Sequence, residues 1–290
     1  MGIMGKKIKI VFTDFWSGFQ PEYDFITPIL KRRYEVEINT KTPDIVFCSS
    51  MHRWRQTSQY PNHPKIMYTG ENHRPQHYKV DYSMSFDKHS DTNYYLPLWQ
   101  LECLQHPEFF GYLQTRTRHE FKHKNLFCSY VVSNPNVKER NDIFKELSKY
   151  GEVYSYGKNF HNTDGMPPKG HDNKLHFLRG NPHKFAVTYE SGIYPGYCTE
   201  KILHSFIVGS IPIYKGDPTI EEQFNSEAFV NGNGIPEKDI AKYVNYLDKN
   251  HIEFNRKYNA EIMTAEQRKK MIENINGLSD WLLNVVKGLL

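Results

Sequence analysis

Long apolar runs are missing from this chain. None of its 290 residues lies in a stretch approaching the roughly 18 consecutive apolar residues of a membrane-spanning helix. The opening MGIMGKKIKIVF lacks the apolar centre of a secretory signal, so a cytoplasmic location, or a peripheral one at a membrane surface, is expected. Cysteine is scarce. Cys48, Cys103, Cys128 and Cys198 are scattered without a Cys-x-x-Cys pair, which argues against both a cysteine-rich zinc site and a disulfide framework. Also absent are Asn-x-Ser/Thr acceptors, Asp-x-Asp pairs, phosphate loops of the GxxxxGK[ST] type, repeats and low-complexity tracts. A net charge of +4 is too mild for a nucleic-acid partner and suits a small anionic ligand.

What is present is an ordinary soluble composition, 38% apolar and 24% charged, with aromatics at 14%. The length suits two domains of about 120 to 150 residues each. Apolar strands are predicted at Ile8 to Phe12, Tyr34 to Ile38, Asp44 to Cys48, Lys65 to Tyr68 and Tyr82 to Phe86, with a helix from Tyr23 to Arg33. A polar, basic stretch from Gln114 to Lys124 reads as a linker. The second half restarts with a strand at Leu126 to Val132, a helix from Val137 to Tyr150 with Val137, Phe144 and Leu147 inward, and a strand at Val153 to Tyr156. This alternation predicts an α/β fold with open, mostly parallel sheets. The expected divisions are 1–120, 121–245 and a helical segment 246–290.

Phe185 to Gly216, FAVTYESGIYPGYCTEKILHSFIVGSIPIYKG, is the most informative segment. A strand from Phe185 to Tyr189 enters a Gly/Pro-rich loop. Thr199 is placed to cap a helix whose apolar face is Ile202, Leu203, Phe206 and Ile207, and Gly209 stops it before a strand at Ile211 to Tyr214. A loop feeding a helix N-terminus offers free N–H groups and a positive dipole end. Lys201 adds a full positive charge where helices prefer acids, which points to a phosphate ester.

The same segment resembles the α1,3/4-fucosyltransferase family of glycosyltransferases. The shared elements are Tyr189-Glu190, the loop Gly192 to Gly196, Tyr197-Cys198-Thr199-Glu200-Lys201, Ile211-Pro212-Ile213-Tyr214 with Gly216, and the closing Phe224 to Val230. Thr69-Gly70-Glu71-Asn72, followed by Asp81-Tyr82 and Phe86-Asp87, resembles the bacterial α1,3-fucosyltransferases, and Ser133-Asn134 leading to Arg140 resembles the family's Ser-Asn-x…Arg segment. The resemblance implies a GT-B architecture, two Rossmann-like domains facing across a cleft with C-terminal helices. The first domain would bind the acceptor and the second GDP-fucose.

It also implies an inverting α1,3 transfer of L-fucose from GDP-fucose to a glycan hydroxyl. The acceptor expected is N-acetylglucosamine or glucose in a lactosamine- or lactose-like unit, with α1,4 or another linkage as the alternative. Glu71 would be the general base, and Arg140 and Lys201 would hold the diphosphate. Glu200 and Tyr197 would fix the donor, with Glu190 and Ser191 as further donor contacts. Family members usually carry Asn where this chain has Ser191. With Asp-x-Asp absent, no cofactor and no metal are expected, and side chains must offset the leaving diphosphate.

Competing patterns are weaker. His119-Glu120-Phe121-Lys122-His123 fits the zinc-protease H-E-x-x-H, yet Arg116, Arg118, Lys122 and Lys124 surround it and oppose a dication. A glycosidase using Glu71 and Glu200, or a silent nucleotide- or carbohydrate-binding module, are the other readings. Trp16, Trp54 and Trp99 are candidates either for packing or for lining an acceptor site. In the last helix, Leu278, Trp281, Leu282, Val285, Val286 and Leu289 share one face. Packing back onto the protein is expected of that face; docking on a membrane is its alternative, disfavoured by a single cation, Lys287.

Overall fold

Alternating strands and helices close into two compact units. The computed structural model describes residues 6–52, 54–114, 126–165 and 171–290. The first unit comprises Met1–Leu101 with Met271–Leu290, and the second Glu102–Lys270.

In the first unit, β1 (Lys6–Thr13), β2 (Tyr34–Ile38), β3 (Ile45–Cys48), β4 (Lys65–Tyr68), β5 (Tyr82–Ser85) and β6 (Asn93–Tyr95) form a parallel sheet ordered β2-β1-β3-β4-β5-β6. Ile8, Ile10, Ile45, Phe47, Ile66 and Met67 have no exposed surface, as expected of strands covered on both faces. The helix expected from Tyr23 to Arg33 contracts to α1 (Ile26–Leu30). The Asp24 carboxylate accepts from the N–H groups of Ile26 and Thr27, so the helix starts there. Strand β6 escaped prediction because polar bonds hold it: Ser83 and Ser85 donate to Asn93 Oδ1 at 2.7 and 2.8 Å.

The second unit begins within α2 (Leu98–Gln105) and continues through α3 (Pro107–Gln114). Then follow β7 (Leu126–Tyr130), α4 (Lys138–Leu147), β8 (Val153–Ser155), α5 (His171–Gly180), β9 (His183–Val187), α6 (Glu200–Ile207), β10 (Ile211–Tyr214) and β11 (Val230–Asn231). The parallel sheet runs β11-β10-β9-β7-β8. Helix α5 was missed because, among its described residues, Leu175 and Leu178 are the two buried apolar ones in a largely polar stretch. In α4 the inward residues are Arg140, Ile143 and Leu147. Leu147 is inward as expected and half-buried Phe144 packs against the same core, whereas Val137 stands at the N-cap and Arg140 and Ile143 take the other inward positions.

Helices α7 (Glu237–Lys249), α8 (His251–Tyr258) and α9 (Ala265–Leu289) complete the chain. The unit division runs inside α9, at Lys270/Met271, and inside α2, at Leu101/Glu102. These lines differ from the expected 120/121, which lies outside the described residues, and 245/246. The cause is the second part of α9. It buries Leu278, Leu282 and Val286 in the first unit, where Arg32 donates to Ser279 at 2.7 Å and Tyr94 to the Asn274 carbonyl. Among the described residues no helix is long and apolar enough to cross a membrane.

Candidate active site

In the second unit the chain leaves β7 through α4 to β8 on one side, then returns to place β9 on the other side of β7. The carboxyl ends of β7 and β9 therefore flank a topological switch point, where open α/β sheets bind ligands. An open hollow of about 570 Å³, partly continuous with solvent, lies there. Its wall includes Val131, Thr188, Lys174, Glu200, Lys201 and His204.

The loop from β9 to α6 is braced from below by Glu190, whose side chain is fully buried. Its Oε1 accepts from the Thr199 N–H at 2.7 Å and from the Thr199 hydroxyl at 2.8 Å; its Oε2 takes the Lys201 ammonium at 3.0 Å. Thr199 does occupy the N-cap in an extended conformation, but its hydroxyl serves Glu190 and Lys201 Nζ rather than the helix's own N–H groups. Gly216 makes room for this arrangement. A Cβ there would stand 2.5 Å from Cγ of Glu190, well inside contact distance.

Lys201 is 30% exposed, so it is both paired below and open above. Burial alone would depress its pKa; the Glu190 and Glu200 carboxylates outweigh that and raise it above the usual lysine range. Arg140 is close enough for its charge to oppose that rise. Arg140 is 5% exposed and donates from Nε and Nη2 to the Tyr189 carbonyl at 3.0 and 2.8 Å. Burial would raise the Glu200 pKa, yet the Lys201 and Lys174 ammonium groups hold it well below the usual carboxylate range. The ionised form of Glu200 is thereby favoured.

Tyr197 is buried, and its hydroxyl lies 2.9 Å from that of exposed Ser191, fixing the loop's outer turn. The structure therefore gathers Arg140, Glu190, Ser191, Tyr197, Glu200 and Lys201 around one loop. Two participants were not foreseen. Lys174 of α5 faces Glu200 at 4.0 Å. Fully buried Asp217 accepts from the Gly196 N–H at 2.8 Å and from Thr219 and Gln223, tying the loop's far end to the turn after β10. Its acidic side chain directly after the Lys215-Gly216 strand end was the available signal. Cys198 is fully buried and burial pushes its thiol pKa well up, so it stays protonated.

Glu71 belongs to the first unit, on the exposed loop after β4. The Thr69 hydroxyl accepts from the Glu71 N–H at 3.3 Å and donates to its carbonyl at 3.1 Å, and the His73 N–H donates to the same carbonyl. Gly70 lies close to Tyr68, where a Cβ would stand 2.9 Å from the Tyr68 hydroxyl. Trp16, following β1, is 38% exposed and packs edge-on against Tyr68; Trp99 is fully buried and Trp54 packs against Tyr78. The H-E-x-x-H run at His119 to His123 lies outside the described residues. Among the described residues no group of three or more His, Cys, Asp or Glu side chains could hold a metal ion.

Two parallel-sheet units with an anion-suited strand–loop–helix at a switch point define a GT-B-type glycosyltransferase fold. Solved structures agree. The crystal structure titled alpha1,3-fucosyltransferase superposes with a TM-score of 0.74 at 23% identity, covering 95% of this chain and 91% of that one. A complex of alpha1,3-fucosyltransferase with GDP-fucose gives 0.71 at 21% identity, covering 97% and 93%.

Residues 10–102 match the alpha-(1,3)-fucosyltransferase FucT N-terminal domain, and residues 121–276 match the glycosyltransferase family 10 (fucosyltransferase) C-terminal domain. The chain belongs to glycosyltransferase family 10, the fucosyltransferases. It is 30% identical to the alpha-(1,3)-fucosyltransferase FucT of Helicobacter pylori over 76% of its own length and 52% of that protein's. It is 31% identical to GDP-fucose protein O-fucosyltransferase 3 of Xenopus tropicalis over 61% of its length and 39% of that protein's. The chain thus spans about half or less of the length of these relatives.

Proposed function

We propose that the protein transfers L-fucose from GDP-fucose, with inversion, to a hydroxyl of N-acetylglucosamine or glucose in a lactosamine- or lactose-like glycan, through an α1,3 linkage. The observation that carries this reading is the pairing of Arg140 and Lys201 at the β7/β9 switch point beside an ionised Glu200. Two cations there offset the charge that gathers on a departing nucleoside diphosphate. Glu200 accepts a hydrogen bond from a donor sugar hydroxyl. Glu190 acts from beneath by holding Lys201 and the start of α6, and Tyr197 orients Ser191 towards the donor.

In the reaction an acceptor oxygen attacks C1 of fucose while the bond from C1 to the β-phosphate oxygen breaks. The acceptor's proton passes to Glu71, and GDP leaves with the bonding electron pair. Arg140 and Lys201 supply the compensating charge without a metal ion. The H. pylori relative, named for an alpha-(1,3) linkage, supports that regiochemistry, and so does alpha-(1,3)-fucosyltransferase B of Drosophila melanogaster at 28% identity.

The test is GDP release from GDP-fucose over a panel of lactosamine, lactose and Ser/Thr-bearing peptide acceptors, with the product linkage read by NMR. The peptides are included because of the protein O-fucosyltransferase relatives. Hydrolysis without transfer would support a hydrolase, and GDP binding without turnover would leave a binding module.

A further inference from the structure

We propose that a hollow lined by hydrogen-bond donors in the first unit selects acceptors carrying an acidic group, a carboxylate or a sulfate ester, with Arg55 as the specificity-determining residue. The inference rests on the transferase reading and names the substrate class within it. The hollow, about 820 Å³ and largely open to solvent, is lined by Met51, His52, Arg55 and Gln56 on the loop after β3.

Among the described residues the lining offers donors and no carboxylate. Arg55 is exposed and permanently charged. Arg74 on the next loop is paired with Asp87 at 3.2 Å and Lys7 with Glu37 at 2.8 Å, whereas Arg55 has no carboxylate partner among the described residues. The exposed His52 ring carries an N–H in either tautomer. The Gln56 side-chain oxygen is already taken, accepting from the Asp14 N–H at 2.9 Å, which leaves its NH2 group to the hollow. Three donors without an acceptor fit the oxygens of an anion and leave the hydroxyl protons of a neutral sugar unmatched.

Asp14 is fully buried and its carboxylate is satisfied by the loop itself. Oδ1 accepts from the Gln56 N–H at 3.2 Å, and Oδ2 from the Thr57 N–H at 2.8 Å and the Thr57 hydroxyl at 2.6 Å. Those bonds hold Asp14 at a φ of 56°, a strained backbone of the kind that clusters at functional sites. Trp54 packs against Tyr78, so the turn presenting Arg55 is pinned from a second side. The Met51 N–H donates to the Asp14 carbonyl at 3.0 Å, and the Ser50 hydroxyl lies 3.4 Å from that of Thr69, which holds the Glu71 backbone. The loops after β1, β3 and β4 are thus tied together, and an acceptor held at Glu71 can extend along them towards Arg55.

Initial rates with GDP-fucose over lactosamine, its sialylated form and its sulfated form, each keeping the attacked hydroxyl free, test the selection in wild type, R55M and R55K. In wild type the acidic acceptors are expected to show kcat/KM about tenfold above the neutral one. That ratio should fall towards one in R55M, stay intermediate in R55K, and shrink severalfold in wild type when salt is raised to about 0.5 M. Preference for the sialylated form alone assigns a carboxylate, and for the sulfated form alone a sulfate. Equal kcat/KM for acidic and neutral acceptors in wild type, or a preference that survives unchanged in R55M, would overturn the selection and leave the transferase reading intact. Absence of transfer to all three would remove that reading, and the selection with it.

Discussion

Arg140 gives two of its guanidinium N–H groups to a single acceptor, the carbonyl oxygen of Tyr189, at 3.0 and 2.8 Å. The bond joins α4 to the residue just ahead of Glu190, so this buried cation fixes the loop's departure from the sheet. Lysine cannot reproduce the fork. Arg140→Lys is therefore expected to weaken GDP binding about tenfold and to lower the unfolding midpoint, since a buried carbonyl loses charge-assisted donors worth about 1.5–3 kcal/mol. Calorimetry and urea titration read the two effects. Unchanged GDP affinity would mean that Arg140 serves the loop alone.

Glu190→Gln tests the brace beneath the loop. Removing one member of a buried ion pair strands the other, and a loss of about 3 kcal/mol in folding stability is expected. Turnover should fall further than stability accounts for, because Lys201 loses its anchor. Stability within about 0.5 kcal/mol of wild type would contradict the brace.

Glu71→Gln keeps the shape of the loop after β4 and removes the proton acceptor. GDP affinity should stay within twofold of wild type while turnover drops by about 10²- to 10⁴-fold, the usual reach of general-base catalysis. Retained turnover would discard Glu71 as the base.

His204 makes stability depend on pH. Burial lowers its pKa, Lys174 adds to the lowering, and the hydrogen bond to Glu102 with the Glu200 charge opposes it. The unfolded chain then takes up a proton near pH 6.5 while the folded protein resists it, so the His204 contribution is fully present above that pH and is lost as the pH falls below it. Urea midpoints at pH 7.5 and 5.5 should diverge in wild type and lie closer together in His204→Gln. An equal drop in both would exclude His204 as the source.

Much of this architecture was legible because its strands are short apolar runs between strong breakers. The bounds of β2, β4 and β10 agree with the pattern, and Gly209 ends α6 with a positive φ of 77°. The joining of Arg140, Glu190, Glu200 and Lys201 was legible for a topological reason: each follows the carboxyl end of a neighbouring parallel strand. Lys174 was hidden because α5 has too few apolar residues to show a period. Asp217 was hidden because its partners, Gly196 and Gln223, are distant in sequence or on another turn. Nor could the pattern show that Tyr197 turns inward to Ser191, or that Thr199 serves Glu190.

The return of α9 to the first unit sets an order for synthesis on the ribosome. Glu102–Lys270 is one uninterrupted span and can close as soon as it emerges, whereas the sheet made earliest waits for Met271–Leu290. The sheet of β1 to β6 is thus finished after that of β7 to β11. Truncation after Lys270 should leave the amides of β7 to β10 protected from hydrogen exchange and strip protection from β1 to β6; equal protection in both sheets would show that the early sheet folds unaided.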